Sequence, residues 1–207
     1  MALALYYHPL SSYCQKVLIA LYENDTAFEK VPIDLGDPES RARLTALWPI
    51  GKFPVLADGD KVVPESSIII DYLDQHYPGP TRFIPADREA ARQVRFVERL
   101  YDCHINDALG RIAAARLRPD RDTVTIERAL ALIGTALDII EKDPAMRRDG
   151  FTLADCAAAP ALFYADMVAP FAATRPKTAA YLATLKARPS FARVLAEAAP
   201  YLHLVPR

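Results

Sequence analysis

The sequence predicts an α/β amino-terminal domain over residues 1–77, a linker over 78–86 and an all-helical domain over 87–207. Three observations carry this reading. Up to His76, short apolar runs of strand length alternate with patterns of helical period, in the order strand, helix, strand, helix, strand, strand, helix. At Tyr77-Pro78-Gly79-Pro80, two prolines and a glycine stop any helix. From Asp87 onward the apolar residues keep a 3.6-residue period, and no convincing strand pattern recurs.

Residues 2–7 are an apolar and aromatic run ended by His8-Pro9, which fits a buried strand. In the helix that follows, Ser11 or Ser12 can serve as cap. Cys14, Val17, Leu18 and Leu21 recur on one face, which leaves Gln15, Lys16 and Glu23 to solvent. Residues 28–33 form a second strand candidate, broken by Pro32, and a turn at Gly36-Asp37-Pro38 leads into a short Arg-rich helix. Lys52-Phe53-Pro54-Val55-Leu56 opens the next strand with a proline at its mouth, where a missing N–H costs the ladder nothing. A cis bond before Pro54 would turn the backbone groups of Phe53 outward and free a strand-like edge for a ligand. Ala57-Asp58-Gly59-Asp60 makes a hairpin turn and Lys61-Val62-Val63 the return strand. Pro64-Glu65-Ser66-Ser67 then starts a helix that runs to about His76, and the hydroxyls and unpaired N–H groups at its start suit a carboxylate.

Beyond the linker, Val94, Val97, Tyr101, Ile105, Ala108 and Ile112 mark one long helix. Ile126, Leu130, Ile133, Leu137 and Ile140 mark the next, expected to pack on it as an antiparallel pair. Thr152 and Asp155 have the spacing of a capping box, with Asp where Glu is usual. The helix behind them is nearly uncharged until Asp166, as befits the core of the helical domain. Arg188-Pro189-Ser190-Phe191 begins a last helix.

The totals bound the function. Lys and Arg number 25 against 26 Asp and Glu, which gives no electrostatic reason for a nucleic acid or an anionic membrane as partner. Cys14, Cys103 and Cys156 are odd in number and far apart, with neither metal-ligand spacing nor a disulfide framework. No long apolar run suggests a leader or a membrane span, so the expectation is a soluble cytoplasmic protein that binds small molecules and needs no metal.

Phe53-Pro54-Val55-Leu56 followed by Glu65-Ser66 at a helix start resembles the glutathione site of cytosolic glutathione transferases, and the similarity covers nearly the whole chain. It implies a thioredoxin-like first domain with a four-stranded mixed sheet, and glutathione as co-substrate. It also implies roles for residues. Phe53 would pair its backbone with the cysteinyl unit beside Pro54, Glu65 would take the γ-glutamyl ammonium, and Ser66 the carboxylate at that end. Lys52 sits where the family often contacts the ligand. Arg41 and Arg43 lie in the right loop for the glycyl carboxylate, which stays unassigned because Gly51 replaces a basic residue of some relatives.

Tyr7-His8-Pro9-Leu10-Ser11-Ser12-Tyr13-Cys14 resembles the serine-type branch, in which the first hydroxyl before the helix points at the glutathione sulfur. That role falls on Ser11, with Ser12, Tyr7 and Cys14 as the alternatives. Ser11 also stands where glutaredoxins carry the attacking cysteine of Cys-x-x-Cys, with Cys14 as the second. Cys103 and Cys156 fit core positions. A small, partly apolar electrophile would bind between Leu10 and the long helix, against Tyr101, His104 and Ile105. The resemblance implies a transferase of the zeta, theta or delta kind, active in detoxification and dimeric. The alternatives are an isomerase of the maleylacetoacetate type, a thiol oxidoreductase using Cys14, and a non-catalytic glutathione-binding module.

Overall fold

Along β1 (Leu3–Tyr7), Leu3, Leu5 and Tyr7 are buried while Ala4 and Tyr6 between them are half-buried, the two-residue period of a strand covered on both faces. The chain is described here by a computed structural model over residues 3–147 and 150–206. β1 pairs in parallel with β2 (Phe28–Pro32) and antiparallel with β3 (Val55–Asp58), which pairs antiparallel with β4 (Lys61–Pro64). The sheet order is β2-β1-β3-β4, a mixed four-stranded sheet of the thioredoxin-like kind. Gly59, at φ +58°, makes the hairpin between β3 and β4, a conformation glycine adopts without a Cβ clash.

α1 (Ser12–Glu23) and α3 (Ser66–His76) cover the face that carries Leu3, Leu5 and Leu56. α2 (Pro38–Leu47), capped by Asp37, covers the other, with Ile33, Leu44 and Val55 as a separate small core beside Trp48. Phe53-Pro54 is a cis peptide.

The helical part begins with α4 (Arg88–Tyr101), a π turn (Asp102–Asn106) and α5 (Asp107–Leu117) as one continuous run. The sequence predicts a single uninterrupted helix here. The π turn accommodates one more residue than an α-helical turn, so the faces of α4 and α5 are out of phase. α6 (Thr123–Lys142) packs on α5. α7 (Leu153–Val168) is the central helix, against α1, α4 and α8 (Pro176–Ala187), and most of its residues are buried. Its capping box is complete: Asp155 Oδ2 accepts the Thr152 N–H at 2.8 Å, and Thr152 Oγ1 accepts the Ala154 N–H at 3.3 Å. α9 (Pro189–Ala198) packs on α1.

One continuous hydrophobic core joins both parts. It explains a departure from the sequence reading of α1. Gln15 and Lys16, expected in solvent, are fully buried, because α7 and α9 pack on α1 from the helical part and Glu98 and Asp102 reach Lys16 from α4 and the π turn. Glu23 is bound by Arg188 and by the Ser190 hydroxyl of the helical part.

Candidate active site

The chain passes from β1 into α1 through His8-Pro9-Leu10, a loop tied at four points. The His8 N–H donates to Cys14 Sγ at 3.4 Å and the Leu10 N–H to His8 Nδ1 at 3.2 Å. Gln15 Nε2 donates to the Pro9 carbonyl at 2.8 Å, and the Tyr164 hydroxyl on α7 donates to the Leu10 carbonyl at 3.0 Å. Ser11 follows as N-cap of α1, its Oγ accepting the Cys14 N–H at 3.3 Å. That bond uses a lone pair of the oxygen and leaves the hydroxyl proton for an acceptor in front of the helix. Ser12 is the first helical residue. Tyr7 belongs to the core, and burial raises its phenol pKa. Cys14 is fully buried, and burial pushes its thiol up to about 12, which removes it as a nucleophile near neutral pH.

Beside this loop lies a cleft of about 250 Å³. Lys52, Phe53, Pro54, Glu65 and Ser66, five residues singled out in the sequence, all line it. Glu65 holds φ +70°, a left-handed conformation that is strained for a residue with a Cβ, and it makes no side-chain cap to α3. The first turn of α3 thus has no side-chain cap, and its Ser66 and Ser67 line the cleft, where a helix start favours an anion. The helical part supplies Arg99, Asp102, Cys103 and Asp107, and α1 supplies Tyr13. The sequence reading missed these. Cys103, expected in the core, is half-buried in the cleft wall, and burial raises its thiol pKa. Arg41, on α2, donates to the Leu35 carbonyl, and neither it nor Arg43 lines the cleft, whose cations are Lys52 and Arg99.

Behind the cleft, Lys16 joins three side chains. Its Nζ lies 2.5 Å from Glu98 Oε1, 2.7 Å from Asp102 Oδ2 and 3.0 Å from Ser67 Oγ. The Ser67 hydroxyl donates to Glu98, and Asn106 Nδ2 donates to Asp102 Oδ1 at 3.2 Å. Two buried carboxylates share one ammonium, so the cluster carries excess negative charge where the dielectric is low. Burial raises the Asp102 pKa to about 6 against the pull of Lys16. The cluster holds Ser67, next to Ser66, and Asp102 in the cleft wall.

A second cleft of about 290 Å³ shares Tyr13 with the first. Leu10, Ser11 and Ser12 line it from the loop, Asn106, Leu109, Gly110 and Ala113 from the run into α5, and Leu204, Val205 and Pro206 from the tail. Of the four residues expected to wall an electrophile site, Leu10 lines this cleft. Tyr101 and Ile105 are fully buried in the core, Tyr101 donating to the Met146 carbonyl at 3.1 Å, and His104 is exposed and lines neither cleft. Apolar period identified the core face of this run, of which Ile112 alone reaches the cleft, whereas Asn106, Leu109, Gly110, Ala113 and Arg116, beyond or at the end of the π turn, lie off that period. Among the described residues, no group of three or more His, Cys, Asp or Glu side chains is placed to hold a metal ion, and no helix is long and apolar enough to cross a membrane.

Residues 5–81 match the family model described as the N-terminal domain of glutathione S-transferase. The chain is 33% identical to glutathione S-transferase 3 of Zea mays, over 94% of this chain and 93% of that protein. It is 30% identical to the stringent starvation protein A homolog of Haemophilus influenzae, covering 91% of this chain and 87% of that one. Among solved structures, a glutathione S-transferase from Methylobacillus flagellatus with bound glutathione superposes with a TM-score of 0.85 at 28% identity, over 93% of this chain and 98% of that chain.

Proposed function

Since the chain belongs to the cytosolic glutathione S-transferase family, we propose that it binds glutathione in the cleft beneath Glu65 and Ser66, ionises the thiol beside Ser11, and adds it to an electrophile held in the second cleft. The observation that carries this reading is the convergence of Lys52, Phe53, Pro54, Glu65 and Ser66 on one cleft, with the Ser11 hydroxyl on the neighbouring cleft across Tyr13.

Each part of glutathione has a complement. The backbone of Phe53 pairs with the cysteinyl unit, Glu65 takes the γ-glutamyl ammonium, and Ser66 with the open start of α3 holds the carboxylate at that end. Lys52 faces a carboxylate. A free thiol has a pKa of about 8.5, and lowering it by two units requires about 2.7 kcal/mol of preference for the anion. One hydroxyl bond to a charged group supplies about 1.5–3 kcal/mol. The positive end of α1 adds about 0.3–1 kcal/mol. Ser11 and the helix together are of the required size. The rest is orientation: two reactants held where the clefts meet react as one molecule.

The division into a glutathione-binding domain over 1–77, a linker and a helical domain that holds the electrophile over 87–207 belongs to the same reading. So do a cytoplasmic location, a role in detoxification and a homodimer. Unpaired Cys14, Cys103 and Cys156 fit a reducing compartment, and the exposed Ile68 on α3 and Phe96 on α4 offer apolar surface for a second copy.

A second reading, a regulatory module that keeps the glutathione cleft without turnover, is favoured by one observation: a relative of equal extent is named for stringent starvation and not for a transferase. Calorimetric titration with reduced glutathione, beside turnover of a generic aromatic electrophile, separates the two. Binding with turnover supports the transferase. Binding without turnover supports the module, and absence of binding removes both.

A further inference from the structure

We infer that the second substrate carries an anionic group, remote from its electrophilic centre across an apolar body, and that Arg116 holds that group. The inference rests on the reading above that the thiolate is delivered beside Ser11.

Among the described residues that line the second cleft, Arg116 is the one that is charged; the others are apolar or neutral. Most neutral polar groups there are already engaged. The Tyr13 hydroxyl donates to Asp107 Oδ1 at 2.7 Å, the Tyr164 hydroxyl to the Leu10 carbonyl, and Asn106 Nδ2 to Asp102. Arg116 Nη1 donates to the Pro206 carbonyl at 3.0 Å. A guanidinium has five N–H donors in a planar fork, so one bond to the tail leaves donors suited to a carboxylate. No acid stands among the described lining residues, and an apolar wall strengthens such a pair.

Two contacts fix the direction of the ligand. Tyr13, just past Ser11, bonds Asp107 in the first turn of α5, whereas Arg116 lies in its last turn. Nine residues of helix separate them, about 13 Å at 1.5 Å per residue. At the loop end lie the Asp107 carboxylate, which accepts from Tyr13, and Asn106 Oδ1, buried with no partner among the described residues, and acceptors at that end disfavour an anion. The anionic group therefore sits at the Arg116 end, and the reacting carbon near Ser11.

For an enone the step balances simply. The thiol proton leaves to solvent, sulfur bonds the β-carbon, the C=C pair moves onto the enolate oxygen, and the α-carbon then takes a proton from water. Nothing is oxidised or reduced.

The test compares a chalcone bearing a carboxylate para on its ketone ring with the methyl ester of the same compound, both with reduced glutathione. Wild type should favour the acid in kcat/KM by about tenfold, the scale of one charge-assisted pair. Arg116→Met should bring the ratio near one, and Arg116→Lys should keep part of it. Loosening of the tail at Pro206 would slow both compounds and leave the ratio unchanged, so the ratio isolates the charge. Equal treatment of acid and ester by wild type, or a ratio that survives Arg116→Met, overturns the inference. Where neither compound is turned over, the same ratio is read from their dissociation constants on the glutathione-saturated protein. Silence in turnover with a preserved binding ratio counts against the conjugation reading and leaves the Arg116 site standing.

Discussion

Ser11 Oγ accepts the Cys14 amide while its own proton stays available, so one hydroxyl can cap α1 and donate to a thiolate in front of it. The cap was legible in the sequence because its signal is local: a hydroxyl residue just before an apolar period. Tyr13, Arg99 and Arg116 were not, because the surfaces they line are created by segments distant in the sequence. His8 gives a prediction of its own. Its Nδ1 accepts the Leu10 N–H, and burial lowers its pKa. Stability from this group is therefore present above the unfolded imidazole value of about 6.5 and is lost as pH falls through the lower folded value. In an NMR titration, His8 should show a midpoint below 6.5, and the Leu10 amide should shift with it. A midpoint at or above 6.5 would contradict the burial of a neutral imidazole, and a Leu10 amide that does not follow it would contradict the bond. Cys14 should resist thiol reagents in the folded protein at pH 8 and react only on unfolding, given a thiol pushed up to about 12.

Among the elements, the hairpin, the start of α3 and the capping box of α7 were readable because turn residues and cap spacings determine them within a few positions. The burial of α1 on all sides was not. Period alone assigned Lys16 to solvent, and its charge is tolerable in the core because Glu98 and Asp102, far along the chain, pair with it. Lys16→Met should thus cost about 3–5 kcal/mol in denaturant unfolding at pH 7.5, by leaving two carboxylates buried and unpaired. The deficit should shrink toward pH 5, as the raised pKa of Asp102 lets that carboxylate take up a proton. A deficit that is independent of pH would mean that packing, and not charge, is what Lys16 supplies. Thr152→Ala, which removes half of a complete capping box, should cost about 0.5–2 kcal/mol by the same measurement.

One main core runs through the whole molecule, with α1 packed on α7 and α9 of the helical part. The sequence divides it into two domains because composition and period change at the linker, yet neither property reports that the two share buried surface. Trp48, the single tryptophan, lies beside the small core under α2, whereas most of the helical signal comes from beyond the linker. Fluorescence and far-ultraviolet circular dichroism should therefore lose signal at the same denaturant concentration, and an earlier fluorescence transition would show the sheet domain unfolding alone. The proposed reaction draws on both parts: α3 lines one cleft, the loop and α5 line the other, and Tyr13 belongs to both. The measurement to make is the pKa of the glutathione thiol bound to wild type and to Ser11→Ala, read from thiolate absorbance across pH. Wild type should hold it about two units below the free value of about 8.5, and the variant should bind glutathione with its thiol near the free value. A thiol pKa that stays low in Ser11→Ala would contradict the assignment of Ser11 as the group that ionises glutathione.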